Sequence, residues 1–517
     1  MKFVQCLLLA IALLLLFSGL SFAARTATGV VFDDANGNGR FDPGEEPLAD
    51  VGVSNGIDVV RTDSEGRYRL EVGDDTILFV IKPSGYRTPL SADNLPRFYY
   101  IHKPQGSPPS RFAGVAPTGG LPEAIDFPLN KQDEPDRFEV ILFGDTQSRD
   151  ETDLGYLMRD ILADLVGTPA AFGVTLGDLA FDNLDILEPQ AEAIGRVGIP
   201  WYNVIGNHDL NFDAEQDAFS DETFERIFGP AYYSFDYAGA HFIVLDDGEW
   251  SIDPETGKGS YRGGFGERQL AFVKNDLAGV PEDRLVVLLM HIPITAVRDR
   301  EALFRLIENR PHCISFSGHT HTHEHRMLGE EQGWRGEKPH HHVVNVTACG
   351  NWWNGAFDER GIPHAMMSDG APNGYSILTI DGNRYTLDFR AAGRPAEYQM
   401  EIHLPDVVAA EALADTEVVV NVFNGSPNST VRMRIDGGEW AVMEPSLRED
   451  PGFVAQYQRD QAIQDNDWRD LGRPRVSAHL WVAPLRAGLV PGAHRLEFQT
   501  TDMHGRTFSA NRIIRMK

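Results

Sequence analysis

The sequence predicts an α/β core that lies between two β-rich regions. Three observations support this fold class: five apolar runs that each end in metal-capable polar residues, a helical stripe between the first two runs, and β-type alternation on either side of the segment. The apolar runs lack polar alternation, as strands covered on both faces do. Such strands, separated by a helix, predict a layered α/β core.

The five apolar runs are FEVILF, AFGVTL, WYNVI, LVVLLM and CISFS. Between the first two, residues 151–166 open with acidic side chains, which suits a helix N-terminus. Their apolar side chains fall on one helical stripe, which predicts a helix packed on the sheet. The stripe consists of Leu154, Leu157, Met158, Ile161, Leu162 and Leu165.

The loops after these runs carry the motifs FGDTQ, LGDLAFD, GNHD, MHIP and GHTH. Open α/β sheets gather their ligands at the carboxyl ends of the strands, so these loops are expected to converge. Carboxylates and imidazoles that converge in this way predict a dinuclear metal site. The candidate residues are Asp145, Gln147, Asp178, Asp182, Asn207, His208, His291, His319 and His321.

In kind, order and rough spacing, the motifs resemble those of the calcineurin-like metallophosphoesterase superfamily. The resemblance implies a calcineurin-like two-sheet sandwich flanked by helices, with two metal ions in its site. Asp178 would bridge both ions, because a carboxylate can hold two cations roughly 3.5–4 Å apart. The other implied ligands are Asp145, Gln147 and His321 for the first ion and Asn207, His291 and His319 for the second.

The resemblance also implies a chemistry. A water between two cations loses a proton near neutral pH and can attack phosphorus in line. His208 would protonate the leaving oxygen or stabilise its charge. Asp182 would orient that imidazole, although it follows the bridging Asp178 by four residues where the family more often has three.

Two departures from the family pattern affect metal and substrate. Gln147 stands where the family usually has His, and its amide oxygen favours an oxygen-preferring ion such as manganese or iron. Asn183 stands where members that act on proteins have Arg, so a protein substrate is not expected. The predicted cofactors are two divalent or trivalent ions of manganese, iron or zinc.

A second metal motif lies near the N-terminus, where six residues match positions 1, 3, 5, 7, 9 and 12 of a calcium loop, with Gly39 at the tight turn. The strand-like TGVVF precedes it, so the motif looks like the calcium loop of β-sandwich repeats in bacterial surface proteins. It predicts one structural calcium ion, and the alternative is a plain Asn/Gly turn. The residues are Asp34, Asn36, Asn38, Arg40, Asp42 and Glu45.

Residues 1–23 are typical of a secretory signal peptide, which predicts an exported protein, periplasmic or secreted. No later run is long and apolar enough for an integral membrane span. Cys313 and Cys349 alone remain after cleavage, which excludes a disulfide framework; both are expected to be buried apolar groups. The net charge of -30 argues against a nucleic-acid or anionic-membrane partner, so the expected partner is a small phosphoester.

The expected organisation is a signal peptide over 1–23, an N-terminal β-sandwich over 24–131, a calcineurin-like domain over 137–340 and a C-terminal β-rich domain over 341–517. The last boundary could fall as late as residue 395. The Pro- and Gly-rich stretch 82–129 is expected to be irregular. His323 and His325 are expected to be solvated or to support the ligands, and the run His340, His341 and His342 is expected to be a loop.

Substrate-binding candidates follow the catalytic motifs. Trp352 and Trp353 lie in a Gly/Asn loop and could form a stacking wall for a sugar or base ring, but core packing explains them equally well. Asn373 lies in a second such loop.

Two functions of different class follow. The first is an exported dinuclear-metal phosphoesterase that hydrolyses a small phosphomonoester or phosphodiester. The alternative is a calcium-stiffened cell-surface or carbohydrate-binding protein with a decayed phosphoesterase core. Every charged or imidazole ligand of the family pattern is present except in the Gln147 position, which favours the enzyme. The sequence carries no signal for an oligomeric state.

Overall fold

The computed structural model describes residues 25–485 and 488–517, so the expected signal peptide lies outside the described residues. Within these ranges the chain forms an N-terminal β-rich region, a central α/β core and a C-terminal β-rich region. The helices of the described part are all too short or too polar to cross a lipid bilayer.

The N-terminal region consists of two small sheets. Its strands are β1 (Arg25–Asp33), β2 (Glu46–Pro47), β3 (Gly52–Ser54), β4 (Val59–Arg61), β5 (Arg67–Val72), β6 (Thr76–Ile81), β7 (Tyr86–Arg87), β8 (Tyr99–His102) and β9 (Phe127–Lys131). One sheet has the order β2-β1-β9-β7 with β5 also on β1, and the other has the order β4-β3-β6-β8. Their buried apolar side chains form one cluster that continues into the central core.

The expectation of irregular chain over 82–129 is wrong in part. The strands β7 and β8 lie within this stretch and β9 begins in it. β7 and β8 pair at sheet edges with β9 and β6, respectively. Short edge strands leave little periodicity in a sequence, and the surrounding Pro and Gly residues hide it further.

The central core is a sandwich of two sheets. Its strands are β10 (Arg137–Phe143), β11 (Phe172–Leu176), β12 (Trp201–Val204), β13 (Tyr233–Tyr237), β14 (Ala240–Val244), β15 (Gly248–Ile252), β16 (Gly259–Gly263), β17 (Leu285–Leu289), β18 (Cys313–Ser317), β19 (Glu324–Leu328), β20 (His340–Val344), β21 (Gly374–Asp381) and β22 (Arg384–Ala391). One sheet has the order β12-β11-β10-β21-β22 and the other β13-β14-β17-β18-β20-β19, while β15 and β16 form a separate hairpin. Phe172 of the first sheet packs against Phe242 of the second, with ring centroids 5.2 Å apart. The predicted two-sheet sandwich is confirmed.

Helices cover the outer faces of this sandwich. They are α1 (Glu151–Leu157), α2 (Leu187–Gly195), α3 (Glu222–Phe228), α4 (Gly266–Leu277) and α5 (Arg300–Ile307). The apolar side chains of α1 and α2 pack on the β10 sheet, while those of α4 and α5 pack on the β17 sheet. Short 3₁₀ turns are Leu184–Ile186, Asn207–Asp209, Asp217–Phe219, Ile294–Ala296, Glu330–Gln332 and Ala410–Asp415.

The predicted helix over 151–166 is present, but one side chain of its predicted apolar stripe is exposed. Asp150 caps α1 by accepting hydrogen bonds from the backbone of Thr152 and Asp153. After α1 the chain makes a π turn over Met158–Leu162 and a last helical turn over Ala163–Leu165. The wider turn changes the phase of the stripe, so Met158 is 41% exposed while its apolar partners are buried.

The two core sheets extend beyond the expected boundary near residue 340. β20 pairs in parallel with β18, and β21 pairs antiparallel with β10. The expectation that His340, His341 and His342 form a loop is wrong, because they begin the buried strand β20. Burial is compatible with these imidazoles because Ser315 bonds to both His340 and His342.

The C-terminal region contains two further sheets and the helix α6 (Pro451–Ala462). Its strands are β23 (Met400–His403), β24 (Val407–Val408), β25 (Glu417–Val422), β26 (Thr430–Ile435), β27 (Ala441–Val442), β28 (Glu444–Glu449), β29 (Val476–Pro484), β30 (Gly492–Thr501) and β31 (Thr507–Met516). The sheet orders are β23-β25-β29-β28 and β24-β31-β30-β26-β27. A solvated role for His323 and His325 is excluded, since both are buried and both bond to Asn424 of this region.

Candidate metal centre

Six of the predicted metal-ligating and catalytic residues adopt a left-handed backbone conformation that side-chain-bearing residues rarely use. Such a conformation costs on the order of 1–3 kcal/mol per residue and persists only where the surroundings enforce it, most often at functional sites. The strain is therefore concentrated where the strand ends meet. The φ angles are 20° for Asp145, 45° for Gln147, 49° for Asp178, 63° for Asp182, 75° for His319 and 53° for His321.

Three predicted ligands converge on the Nε2 atom of a fourth, His291. The Asp178 Oδ2 atom lies 3.2 Å from it, Asn207 Oδ1 lies 3.1 Å from it and His319 Nδ1 lies 3.2 Å from it. Ligand atoms of Asp178, His291 and His319 all lie within 4.8 Å of one another. One carboxylate oxygen, one amide oxygen and two imidazole nitrogens form a donor set that suits manganese, iron or zinc.

Backbone carbonyls orient two of the imidazoles. His291 Nδ1 lies 2.9 Å from the carbonyl oxygen of Leu176, and His321 Nδ1 lies 2.6 Å from that of Gly350. A carbonyl accepts a hydrogen bond only from a protonated ring nitrogen, so Nε2 carries the lone pair in each neutral ring. This arrangement presents the Nε2 atoms of His291 and His321 as metal ligands.

The remaining predicted ligands lie against Asp178 and His319. Both carboxylate oxygens of Asp145 accept a hydrogen bond from the backbone nitrogen of His319, at 3.1 and 2.9 Å. Gln147 Nε2 lies 3.2 Å from Asp178 Oδ2, and a half-turn of this amide would present its oxygen to a cation instead. The buried Cys349 Sγ lies 3.7 Å from Gln147 Oε1 and does not replace the missing imidazole as a ligand of this set.

Burial and neighbouring charges shift the pKa values of the site residues. Burial raises the pKa of Asp145 to about 8. Burial alone would lower the pKa of His291, but the Asp178 carboxylate raises it to about 10. Burial lowers the pKa of His319 to about 4 and that of His321 to about 3. The last two imidazoles are therefore neutral near pH 7, which is the form that binds a metal ion.

His208 and Asp182 form a pair beside this cluster. His208 Nδ1 lies 2.5 Å from Asp182 Oδ1, so the other ring nitrogen is left to face a substrate. The backbone nitrogen of His208 donates to Asp178 at 2.8 Å, and Phe181 stacks on the imidazole at 4.7 Å. Burial would lower the pKa of His208, but the hydrogen bond to Asp182 raises it. The spacing of four residues thus still permits the predicted pairing.

Two buried aspartates support the ligand loops but had no role in the sequence interpretation. Asp209, the last residue of the GNHD motif, accepts hydrogen bonds from the backbone nitrogens of Leu179, Ala180 and Gly206. These bonds connect the loop after β11 to the loop after β12. The position of Asp209 in the GNHD motif is the sequence feature that could have identified this role. Asp247 accepts from the backbone nitrogen of His291 at 3.3 Å, and no motif marks it.

The three substrate-binding candidates lie in three different environments. Trp352 stacks on His321 with ring centroids 4.1 Å apart, beside the cluster. Trp353 is 1% exposed and donates from Nε1 to the carbonyl oxygen of Thr146, so the stacking-wall interpretation is wrong for it and core packing is right. Asn373 donates to Asp160 and to the carbonyl oxygen of Ala348, which makes it a link between buried loops rather than a group facing the cluster.

One aromatic residue beside the cluster was missed entirely. Tyr261, on the hairpin of β15 and β16, meets His319 edge-on with ring centroids 6.1 Å apart and is 40% exposed. The hairpin carries no motif and is distant in sequence from every ligand. Only the fold brings it to the site.

The N-terminal loop brings its predicted calcium ligands together. Asp34 accepts hydrogen bonds from the backbone nitrogens of Asn38 and Gly39, and Asp42 accepts from the side chains of Asn36 and Asn38. The loop closes where the Asp42 backbone nitrogen donates to the carboxylate of Glu45. The Glu45 Oε1 atom is buried without a hydrogen-bond partner. The geometry therefore leaves one acidic oxygen with unmet bonding capacity. The Arg40 backbone nitrogen donates to Asn38 Oδ1 within this loop, and the ligand role of its carbonyl stays a prediction.

Comparison with known proteins agrees with this arrangement. Family models match residues 35–113 ("N terminal of Calcineurin-like phosphoesterase"), 138–323 ("Calcineurin-like phosphoesterase") and 342–508 ("C terminal of Calcineurin-like phosphoesterase"). Together they cover most of the chain, which belongs to the calcineurin-like phosphoesterase family. Membership implies bound divalent metal ions, and the donor set described above fits them.

Two solved structures are similar to this chain. One is a dimetal phosphatase from Danio rerio, LOC 393393, with a TM-score of 0.35 and 14% identity over 49% of this chain and 96% of that one. The other is the purple acid phosphatase PPD1 from yellow lupin, Lupinus luteus, with a TM-score of 0.36 and 14% identity over 71% of this chain and 66% of that one. A search of curated proteins finds no match.

Proposed function

We propose that this protein hydrolyses a small phosphomonoester or phosphodiester with the help of two metal ions. The observation that carries the proposal is the convergence of Asp178, Asn207 and His319 on His291 Nε2. The backbone nitrogen of His208 donates to the Asp178 carboxylate, and the His208 imidazole pairs with Asp182. A structural metal site would not need such a partly exposed acid next to it.

Each side chain of the site has a distinct task in this proposal. The chemistry that two bound cations supply is activation of a water and neutralisation of the phosphoryl oxygens. His208 donates a proton to the leaving oxygen from Nε2, and Asp182 holds its ring through Nδ1. Trp352 and Tyr261 flank the cluster and limit how a substrate can enter. The absence of Arg at position 183 argues for small substrates rather than proteins.

The test is hydrolysis of p-nitrophenyl phosphate and of its bis ester after chelation and addition of manganese, iron or zinc. We expect turnover with at least one metal, loss of activity in Asp178→Asn, and a fall of about 10²–10⁴-fold in His208→Ala. Glu267→Gln, a change at an exposed residue outside the ligand motifs, serves as the control. A lack of turnover with every metal would favour the alternative of a binding protein with a decayed core.

We also propose that the N-terminal loop binds one structural calcium ion. The buried and unpartnered oxygen of Glu45 supports this, together with the match of Asp34 and Asp42 to the loop pattern. Calcium should raise the melting temperature of the wild type but not that of Asp34→Asn. Equal effects of calcium and magnesium on both proteins would instead indicate a plain turn.

Export is proposed from the sequence alone. The N-terminal apolar run followed by small residues near Ala23 supports a cleaved signal peptide and a periplasmic or secreted protein. N-terminal sequencing of the protein recovered from its native host tests this. A mature chain that starts at Met1 and stays in the cytoplasm would contradict it.

A further inference from the structure

The segment between α6 and β29 carries Arg475 to the edge of the metal-ligand cluster. The Arg475 backbone nitrogen donates to the carbonyl oxygen of Ser368 at 2.9 Å, and the Ser368 backbone nitrogen donates to that of His321 at 3.2 Å. The guanidinium donates from Nη1 to the carbonyl oxygen of Thr320 at 3.1 Å. Thr320 is the residue between the predicted ligands His319 and His321, so Arg475 is fixed to the ligand loop by both its backbone and its side chain.

Most of the hydrogen-bonding capacity of Arg475 is unused. Its side chain is exposed, and in the described part of the chain its guanidinium makes this one hydrogen bond and no ion pair. A guanidinium has five N–H donors, so several remain for a ligand. The other nearby arginine, Arg149, is already committed to Asp153 and to the carbonyl oxygen of Trp352.

The charge of Arg475 reaches the predicted ligands. Its guanidinium is bonded to the backbone of Thr320, between the predicted ligands His319 and His321. The catalytic motifs themselves supply no such cation, because Asn183 stands where a phosphate-binding Arg would follow Asp182. The proposed substrate is an anion, and the catalytic motifs contain no guanidinium to bind it. The C-terminal region thus places a guanidinium where these motifs lack it.

We propose that Arg475 binds the non-bridging phosphoryl oxygens of the substrate, so that the C-terminal region completes the active site. A planar guanidinium can hold two phosphate oxygens at once, which a lysine cannot do. This inference rests on the proposed phosphoesterase function, which it deepens.

Further contacts fix the segment in place. The Gly472 backbone nitrogen donates to Asn351 Oδ1 at 2.6 Å, and the Asn351 side chain donates to Ser368 Oγ at 2.7 Å. Arg469 forms an ion pair with Asp153 at the start of α1. Because Arg469 and Gly472 anchor the segment on the core just before Arg475, this arginine is held at the site.

The test compares Arg475→Ala, Arg475→Lys and the control Arg473→Ala in the full-length protein loaded with its metal. Arg473 is exposed, carries the same charge two residues away and makes no described side-chain bond. Calorimetric titration with inorganic phosphate should show binding weakened at least tenfold in Arg475→Ala, weakened less in Arg475→Lys, and within twofold of the wild type in Arg473→Ala. The kcat/KM for p-nitrophenyl phosphate should fall in the same order.

Phosphate binding separates failure of this inference from failure of the proposed function. Arg475→Ala or Arg475→Lys with a wild-type melting temperature and unchanged phosphate affinity would overturn the role of Arg475, as would a metal-loaded wild type that binds no phosphate. Arg475-dependent phosphate binding without turnover of either ester would support Arg475 but overturn the phosphoesterase proposal.

Discussion

Gln147 is the residue at which this site departs most from its family. Its side chain lies 3.2 Å from the Asp178 carboxylate, in a fully buried position where the family usually has an imidazole. An amide oxygen is a weaker ligand than an imidazole nitrogen for zinc and similar ions. In the proposed site, Gln147 would therefore set how tightly the first ion is held.

We expect Gln147→His to tighten binding of the first metal ion. The measurement is the metal retained per chain after dialysis against a graded series of chelator concentrations. Gln147→Ala, which removes the amide without adding a ligand, is the control and should retain less metal than the wild type. Equal retention in all three proteins would show that position 147 does not contact a metal.

The two neighbouring tryptophans should respond differently to the same substitution. Trp353 fills the core beside α1, so Trp353→Ala should destabilise the protein by about 3–5 kcal/mol. Trp352 is partly exposed over His321, so Trp352→Ala should mainly alter KM for ring-bearing substrates. Urea unfolding and steady-state kinetics of both variants check this. A stable Trp353→Ala with a raised KM would reverse the assignment.

The elements of the core are held together by a buried ion-paired histidine. His241, on β14, lies 2.8 Å from Asp236 of β13 and 2.9 Å from Asp276 of α4. Burial would lower the pKa of His241, but the Asp276 and Asp236 carboxylates raise it to about 9. One imidazolium thus joins two strands and a helix, far from the metal cluster.

This pairing predicts a pH dependence of stability. The folded pKa of His241 is raised above the unfolded value of about 6.5, so its contribution is full below pH 6.5 and is lost as pH rises through about 9. As the pH rises from about 6.5 to about 9, the free energy of unfolding of the wild type should therefore fall relative to that of His241→Gln. Urea unfolding of both proteins at several pH values tests it, and a constant difference would mean that His241 is neutral in the folded state.

At the scale of elements, the sequence predicted those whose side chains follow a simple period. The apolar runs before Asp145, Asp178 and His291 are strands, as expected, because buried strands contain little but apolar residues. The first half of β20 escaped prediction because it holds three histidines whose polar atoms find partners only in the folded chain. The π turn after α1 likewise follows from packing and has no sequence signal.

At the scale of the whole molecule, the sequence predicted the ligand cluster but not its surroundings. The ligands follow strand ends, which local patterns could identify. The strands lie in two sheets, however, with β10, β11 and β12 in one and β17 and β18 in the other, so only the packing of the two sheets brings the two sets of ligands together. Tyr261 and Arg475 come from a hairpin and from the C-terminal region, and only the tertiary fold brings them to the cluster. Trp352 and Trp353 are adjacent in sequence, and only the folded loop shows that Trp353 packs in the core while Trp352 lies over His321.

The metal content of the central cluster tests the proposed dinuclear site most directly. After purification, chelation and reloading with manganese, metal analysis of the wild type should give two ions per chain, and Asp178→Asn should lose both metal and esterase activity. A wild type that takes up no metal from excess manganese, iron or zinc, while remaining folded, would contradict the dinuclear site.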